Sequence, residues 1–320
     1  AVVEHSGRAD TRVFREVTEL GAELQRLGAT TVGAVTPSRV AVLFDWDNWW
    51  AIESAIGPIN PKDYAGTVRK HYSALWRRNV PIDIIFSDSD LILSGSGLRR
   101  YDLVIAPTLH LVKPGVAERI EAFVTAGGTF VTTYFSGVVD ENDLAFAGYP
   151  GPLRNVLGIS VEEIDALYEE QTNTIVMADG SGRYRCARLC DIVQAEGAKV
   201  LGTYGGDFYA GLPALTENAF GSGQAFYIAS DPEERFLDDF YGRLLLKHDI
   251  EPLLDLPRGV ELTVRQGEKS RFLFVLNHSG DTQWVKLPPG RRFWEHLSAA
   301  AVSGSLRLLQ HGVAILEEKE

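Results

Sequence analysis

The stretch from Val40 to Trp50 reads VAVLFDWDNWW, and it decides the expected fold. Five apolar residues in succession, ending at Phe44, are typical of a strand that is buried on both faces, and such strands belong to parallel sheets covered by helices. Similar short apolar runs follow at residues 82–86, 103–106 and 130–134. The stretch therefore predicts the first strand of an α/β domain.

Helical patterns separate these apolar runs. One has apolar residues at Tyr64, Val68, Tyr72 and Leu75, and another ends at the pair Gly127-Gly128. Strand-like runs at residues 200–204 and 224–229 continue the pattern, and a closing helix precedes Pro252. We therefore predict a doubly wound, flavodoxin-like domain over residues 37–252, of the kind that glutamine amidotransferases also contain.

The pattern changes after Pro252. Apolar residues then alternate with polar ones, as at Val260, Leu262 and Val264, and this period of two predicts half-buried antiparallel strands. Residues 253–320 are therefore expected to form a small β domain.

The N-terminal segment predicts one amphipathic helix over residues 10–28, with Asp10 as its N-cap and Gly28 just past its end. Its apolar residues, Val13 and Val17 among them, form a stripe that needs a partner surface. The chain does not begin with methionine, so we expect a fragment of something longer, and we expect the stretch from Gly28 to Ser38, which contains Pro37, to be a linker.

The composition excludes several classes of function. The chain has 320 residues, with 31 Lys and Arg against 43 Asp and Glu, which gives a formal charge of −12. Nucleic acid and anionic membrane surfaces are bound through Lys and Arg, so neither is an expected partner. The seven histidines are scattered, and Cys186 and Cys190 are too few for a zinc site. We expect no metal, no cofactor and a cytoplasmic location with reduced thiols.

The cluster at Asp45, Trp46, Trp49 and Trp50 is the least ordinary local feature, and we expect it in the turn after the first strand. In an open α/β sheet, that edge is the usual ligand site, and tryptophans beside carboxylates can stack on a sugar. The same tryptophans could also anchor a subunit interface or belong to the core. Of these three alternatives, the interface is the one we favour.

The turn after residues 130–134 holds Phe135, Ser136 and Gly137. An amidotransferase-like hydrolase would carry its nucleophile here, but no G-x-S-x-G motif surrounds Ser136. Both turns follow parallel strands and should emerge at one edge of the sheet. We therefore expect them to form one surface, either an interface or the wall of an active site. No catalytic residue is assigned.

Several motifs in order closely resemble the C-terminal half of the family-42 glycoside hydrolases, which are β-galactosidases. In the first half of the chain they are RVFREV at 12–17, VLFDWDNWWA at 42–51, HYSALW at 71–76, YDLVIAP at 101–107 and TYFSGVVDE at 133–141. Later come GYPGPLR at 148–154, TYG at 203–205, FYAG at 208–211 and FVLNH at 274–278. The resemblance covers nearly the whole chain.

The resemblance implies an N-terminal (β/α)₈ barrel that holds both catalytic glutamates, then a flavodoxin-like trimerisation domain and a small β domain. Residues 1–28 then correspond to the end of the barrel, and the chain as given lacks the catalytic glutamates. The expected partners are further copies of the chain in a trimer and a β-galactoside bound by the barrel. The alternatives are a stand-alone oligomerisation or carbohydrate-binding module and an amidotransferase-like hydrolase.

Overall fold

A computed structural model describes residues 3–5, 7–58, 62–87, 97–252, 254–268 and 270–319 of the chain. The chain divides into two compact units. One unit is residues 38–251, and the other combines residues 1–37 with residues 252–320.

The helices in the described residues are α1 (Arg12–Thr31), α2 (Trp46–Ser54), α3 (Tyr64–Trp76), α4 (Val116–Thr125), α5 (Arg154–Leu157) and α6 (Glu234–Lys247). The strands of the first unit are β1 (Val40–Leu43), β2 (Ile82–Ile85), β3 (Leu103–Ala106), β4 (Thr129–Thr133), β5 (Ile159–Ala166), β6 (Asn173–Met177), β7 (Arg183–Ala195), β8 (Lys199–Tyr204), β9 (Pro213–Phe220), β10 (Gly223–Ile228) and β11 (Ser230–Pro232). Those of the second unit are β12 (Val260–Gln266), β13 (Arg271–Asn277), β14 (Gln283–Lys286), β15 (Arg292–Glu295), β16 (Ala300–Val302), β17 (Ser305–Leu308) and β18 (Val313–Lys319).

One large mixed sheet forms the centre of the first unit. Its strand order is β11-β7-β6-β8-β9-β10-β4-β3-β1-β2, and β5 pairs with β7. The strands from β10 to β2 are parallel to their neighbours. Every residue of β1, β3 and β4 is buried, as the continuous apolar runs predict. The prediction of an α/β domain followed by a small antiparallel β domain is thus confirmed.

The other half of the large sheet is antiparallel, which the sequence did not lead us to expect. From β10 outward, each strand runs against its neighbour. The longest strand, β7, is irregular because Arg188 has a φ of +68° and the pairing with β11 shifts register there. Such a bulge breaks the two-residue alternation by which a strand is recognised.

The two ends of the first unit lie next to each other. The guanidinium of Arg39, just before β1, donates to the carbonyl oxygens of His248 and Asp249, at 2.7 and 3.0 Å. The same side chain pairs with Asp102. The chain therefore enters and leaves this unit at one place.

Three local predictions were wrong. Helix α1 begins at Arg12, with the Thr11 hydroxyl accepting from the Phe14 amide, because the Asp10 carboxylate is paired with Arg8 instead. The helix also continues through Gly28 to Thr31. The stretch from Trp46 to Trp50 is not a turn but the start of helix α2.

The second unit joins the N-terminal segment to the C-terminal β domain. Its main sheet has the order β12-β13-β18-β15-β16, with antiparallel pairing throughout, and β14 pairs with β17. Val35 and Gln266 exchange backbone hydrogen bonds at 3.0 and 2.7 Å. The guanidinium of Arg265 also donates to the Ala34 carbonyl at 3.3 Å.

The alternation in β15 can be tested with neighbouring residues. Phe293 is 2% exposed and Trp294 is 38% exposed. We expect Phe293→Ala to lower the free energy of unfolding of this unit by about 3–5 kcal/mol, because it leaves a cavity in a small core. Trp294→Ala is the control and should cost about 1 kcal/mol or less. Urea unfolding measures both, and equal losses would contradict the assigned faces.

Candidate functional site

Strands β1, β3 and β4 are parallel neighbours, so their carboxyl ends meet at one edge of the large sheet. Three loops or helix starts follow these ends, at residues 45–50, 107–113 and 134–140. The change of crossover direction between β1 and β3 makes this edge the expected ligand site of such a sheet.

Asn48 ties the first of these segments to the second. Its side chain is fully buried, the amide nitrogen donates to the Thr108 carbonyl at 3.0 Å, and the amide oxygen accepts from the Leu111 amide at 2.7 Å. A buried side-chain amide that satisfies both its donor and its acceptor in this way fixes the separation of the two segments.

Asp45 combines two roles at this edge. It is the N-cap of α2, where its Oδ1 accepts from the amides of Asp47 and Asn48 at 2.8 and 3.2 Å. The Lys113 ammonium binds Asp45 at 3.0 Å and Asp47 at 2.7 Å. Burial opposes the charge of Lys113, but the hydrogen bonds to Asp47 and Asp45 outweigh it and raise the pKa of the lysine. Lys113 therefore stays protonated at neutral pH, and Asp45, Asp47 and Lys113 form a compact trio.

An aromatic cluster covers the outer side of this trio. Phe44 contacts Trp46 edge to face, with ring centroids 5.1 Å apart, and the Trp46 and Trp49 rings are stacked at 5.3 Å. Trp49 is half-buried and donates its indole N–H to Glu53 at 2.5 Å. Trp46 and Trp50 are 51% and 61% exposed. The three tryptophans thus divide into one that packs on the core and two that face outward.

A groove of about 470 Å³ opens beside this cluster. It is lined by Asp45, Trp46, Asp47, Trp50, Phe86 and Lys113. Flat aromatic faces beside carboxyl oxygens suit a polyhydroxylated ligand or the aromatic centre of an interface. The groove is therefore lined by three of the four residues that the sequence singled out here, Asp45, Trp46 and Trp50, while Trp49 packs behind them.

The second predicted loop is buried. Phe135, Ser136 and Gly137 all lie within the unit. The Ser136 hydroxyl accepts from the Leu109 amide at 2.9 Å and contacts the Thr132 hydroxyl at 2.8 Å. Gly137 has a φ of +65°, and a Cβ there would lie 2.0 Å from the Pro150 carbonyl oxygen. This arrangement positions a loop and does not present Ser136 as an exposed nucleophile.

His110 packs against the same loop, and sequence reasoning assigned it no role. Its ring stacks on Phe135 with centroids 4.3 Å apart. It is buried, and neither ring nitrogen has a hydrogen-bond partner among the described residues. Burial lowers the pKa of His110 to about 4, so the ring is neutral at pH 7. It serves as a packing surface for Phe135.

Asp191 holds this loop from the other half of the sheet. Its Oδ2 accepts the Phe135 backbone N–H at 2.9 Å and the Tyr227 hydroxyl. Phe135 has a φ of +61°, a strained value for a side chain of its size. The carboxyl is fully buried, and its Oδ1 has no hydrogen-bond partner in the described part of the chain. Burial raises the pKa of Asp191 to about 7.

No short-range sequence signal pointed to Asp191. It lies 56 residues from Phe135 and 36 from Tyr227 along the chain, on an irregular strand. Its only local sign is a carboxylate within the apolar run around Cys190 and Ile192, where a charge is costly without partners.

The described residues do not form a metal site, a disulfide or a membrane-spanning helix. No group of three metal-ligating side chains occurs there, and Cys186 and Cys190 are buried and free. Within the same residues, no helix has both the length and the apolar character to cross a membrane.

Two protein-family models match the chain in succession. The model described as the β-galactosidase trimerisation domain matches residues 38–251, and the β-galactosidase C-terminal domain matches residues 259–318.

Named relatives give a consistent picture. The β-galactosidase BgaA of Planococcus sp. (strain 'SOS Orange') is 47% identical over 99% of this chain, and the β-galactosidase Pbg of Clostridium perfringens is 44% identical over all of it. Each match covers 46% of the relative, so the chain spans about half the length of these curated relatives. The crystal structure of a β-galactosidase from Bacillus circulans sp. alkalophilus superposes with a TM-score of 0.92 at 45% identity, over 100% of this chain and 47% of that one.

The Asp191 carboxyl makes stability depend on pH. Its pKa is raised on folding, so the native state holds a proton that the unfolded chain has lost, and stability falls as pH rises toward 7. Between pH 5 and pH 8, the free energy of unfolding of Asp191→Asn should therefore rise by about 3 kcal/mol relative to that of the parent. The parent loses about 1.4 kcal/mol for each of the roughly two pH units between pH 5 and the pKa of Asp191.

Urea unfolding at the two pH values measures this gain. Asp239→Asn is the matched control, because Asp239 also accepts a tyrosine hydroxyl, from Tyr184 at 2.8 Å, but lies at the surface. The difference in free energy of unfolding between Asp239→Asn and the parent should be the same at both pH values. A constant offset for Asp191→Asn as well would show that this carboxyl is ionised in the native state throughout.

Proposed function

The chain belongs to the β-galactosidases of glycoside hydrolase family 42, and from that premise we propose that it supplies the trimerisation and C-terminal domains of an enzyme that hydrolyses terminal β-D-galactosides with retention of configuration. The observation that carries the proposal is the ordered match of both domain models along one chain. The parent enzyme would bind its galactoside in a catalytic barrel that precedes these domains.

The division of labour follows from the same premise. In this proposal, residues 1–36 are the end of the barrel and a linker, residues 37–252 form the trimerisation domain and residues 253–320 form the C-terminal domain. The apolar stripe of α1 supports the first assignment, because Val17, Leu20 and Leu24 are exposed in this chain and would pack on the rest of a barrel.

We assign the parallel half of the large sheet to the flavodoxin-like class. The supporting observation is the strand order β2-β1-β3-β4-β10, which corresponds to the order 2-1-3-4-5 of that class. The antiparallel half is then an addition at the last strand. In this class the ligand edge is the one where Asp45 and Trp46 lie.

We propose that Trp46 and Trp50 belong to a trimer interface that also walls the active site of the parent enzyme. Two exposed tryptophans beside a half-buried one form an aromatic surface of the kind found at the centre of interfaces. Asp45 and Trp49 hold the helix that presents them. Phe135, Ser136 and Gly137 contribute from beneath, as the buried support of the neighbouring loop.

The carboxylates of this edge are not a catalytic pair. A glycosidase needs one carboxylic acid that donates a proton and a second carboxylate across a cleft. Asp45 and Asp47 are two residues apart and are held together by the Lys113 ammonium, at 3.0 and 2.7 Å, so they do not face each other across a cleft. Their role in the proposal is to fix the start of α2.

The proposed location is the cytoplasm, and the proposed assembly is a homotrimer without a cofactor. The buried free thiols of Cys186 and Cys190 suit a reducing compartment. The net charge of −12 disfavours nucleic acid and anionic membrane surfaces as partners.

The first test of the proposal is an assay of the 320-residue chain with an aryl β-galactoside. We expect no turnover above the buffer rate, because the acid/base and nucleophile motifs of the family have no match in this sequence. Proton transfer and the covalent step each contribute orders of magnitude to the rate. Turnover that co-purifies with the chain and survives a second chromatographic step would contradict the assignment of catalysis to a preceding barrel.

The second test is the assembly state of the same chain. Sedimentation velocity at micromolar concentration should detect a trimer, and Trp46→Ala combined with Trp50→Ala should raise its dissociation constant at least about tenfold, as expected for central aromatic residues. Trp284→Ala is the matched control, because that tryptophan is 59% exposed on the β domain. A monomeric parent chain, or equal effects of the two sets of variants, would overturn the interface.

A further inference from the structure

A second cavity lies in the first unit, on the antiparallel half of the sheet. Its volume is about 460 Å³, within the range of small-molecule sites. Helix α6 packs on β10 through Phe240 and Phe226, with ring centroids 5.4 Å apart, and the cavity lies where the helix meets the neighbouring strands β8 and β9. None of its lining residues belongs to the groove at the other site.

The floor of this cavity is apolar. It is made by side chains from β6, β8, β9, β10 and α6, namely Met177, Leu201, Leu215, Phe226, Phe240 and Leu244. Most of these side chains are buried in the core of the unit. A floor of this kind binds the apolar body of a ligand by removing it from water.

The mouth of the cavity is charged. Lys199, Arg243 and Lys247 contribute cations, and Asp179 and Glu217 contribute carboxylates. Lys247 lies 4.0 Å from Glu217, so these two charges offset each other. The Asp179 carboxylate accepts from the Ser181 amide at 2.9 Å, and its pKa is lowered by the Ser181 hydroxyl, by this amide and by the charge of Arg243.

Two of the cations make no direct ion pair within the described residues. The Lys199 ammonium is exposed and has no hydrogen-bond or ion-pair partner there, although Lys199 lies opposite Glu217 in the register of β8 and β9. The Arg243 guanidinium donates to the Ser181 hydroxyl at 3.2 Å and has no ion pair within 4.0 Å in the described ranges, although its charge reaches Asp179. In a chain with a net charge of −12, a cavity mouth with three cations and two carboxylates is a local exception.

We propose that this cavity binds a small amphipathic carboxylate, with its apolar body on the Leu215 floor and its carboxylate between Lys199 and Arg243. A guanidinium binds a carboxylate with two parallel hydrogen bonds, and the lysine adds a second positive charge. A neutral ligand of the same shape would lack both interactions, and a cation would be repelled. The site is separate from the proposed galactoside chemistry and does not depend on it.

The test compares 4-phenylbutyrate with 4-phenylbutan-1-ol, which share an apolar body and differ in the carboxylate. Isothermal titration calorimetry of the 320-residue chain should give saturable 1:1 binding of the acid, at least about tenfold tighter than the alcohol. Lys199→Gln combined with Arg243→Gln should remove this preference and leave the alcohol unchanged. The control, Lys286→Gln combined with Arg292→Gln, makes the same charge change on the β domain and should alter neither.

A third variant tests the cavity itself. Ala178 lies at the edge of the lining, so Ala178→Trp should fill the space and abolish binding of both ligands, with the folded state checked by circular dichroism. The proposal is overturned by the absence of saturable binding up to about 1 mM, by equal affinities of the acid and the alcohol in the parent, or by binding that persists unchanged in the double variant. A loss of ligand binding when the chain self-associates would mean that the cavity is part of a subunit contact. This result would also overturn the proposal.

Discussion

A single buried carboxylate connects the two halves of the large sheet to the edge where the candidate site lies. Asp191 belongs to the antiparallel half, yet it accepts from Tyr227 on β10 and from the backbone of Phe135 after β4. Phe135 in turn stacks on His110, and Ser136 accepts from Leu109. The left-handed backbone at Phe135 is strained, so it needs this set of contacts to stay in place. The exposed aromatic edge rests on that rigid support.

The edge itself contains an ionic group and an aromatic group that lie side by side. Lys113, Asp45 and Asp47 form a compact ionic group, and Phe44, Trp46 and Trp49 form a packed aromatic group beside it. Because Asp45 is also the cap of α2, the position of the charges and the orientation of the tryptophans are set by the same residue. A preorganised surface of this type loses little conformational entropy when it meets a partner.

The parts of this structure that sequence reasoning recovered are those with local signals. The buried run VAVL at β1 and the polar-apolar alternation of VELTVRQ at β12 each carry their own periodicity. The bulge at Arg188 removed that signal from β7, the longest strand of the antiparallel half. At the site, the unusual composition of Asp45 to Trp50 was visible, but its helical form depends on the Asp45 cap. Asp191 could not be found because its partners are distant along the chain.

The hydrogen bonds of Arg39 to His248 and Asp249 hold the two ends of the first unit together. The pairing of Val35 with Gln266 joins the two chain segments of the second unit. In the sequence, the first unit is thus an insertion between the two segments of the second. The points where the chain enters and leaves the first unit are adjacent. On the ribosome, residues 38–251 emerge complete before the strands that pair with Val35 have been made. Every contact within the inserted unit can therefore form before the C-terminal strands are made, whereas Val35 pairs with a residue that is synthesised more than about two hundred residues later. The same adjacency makes the inserted unit transplantable, since replacing it by a short linker leaves the backbone path of its host intact.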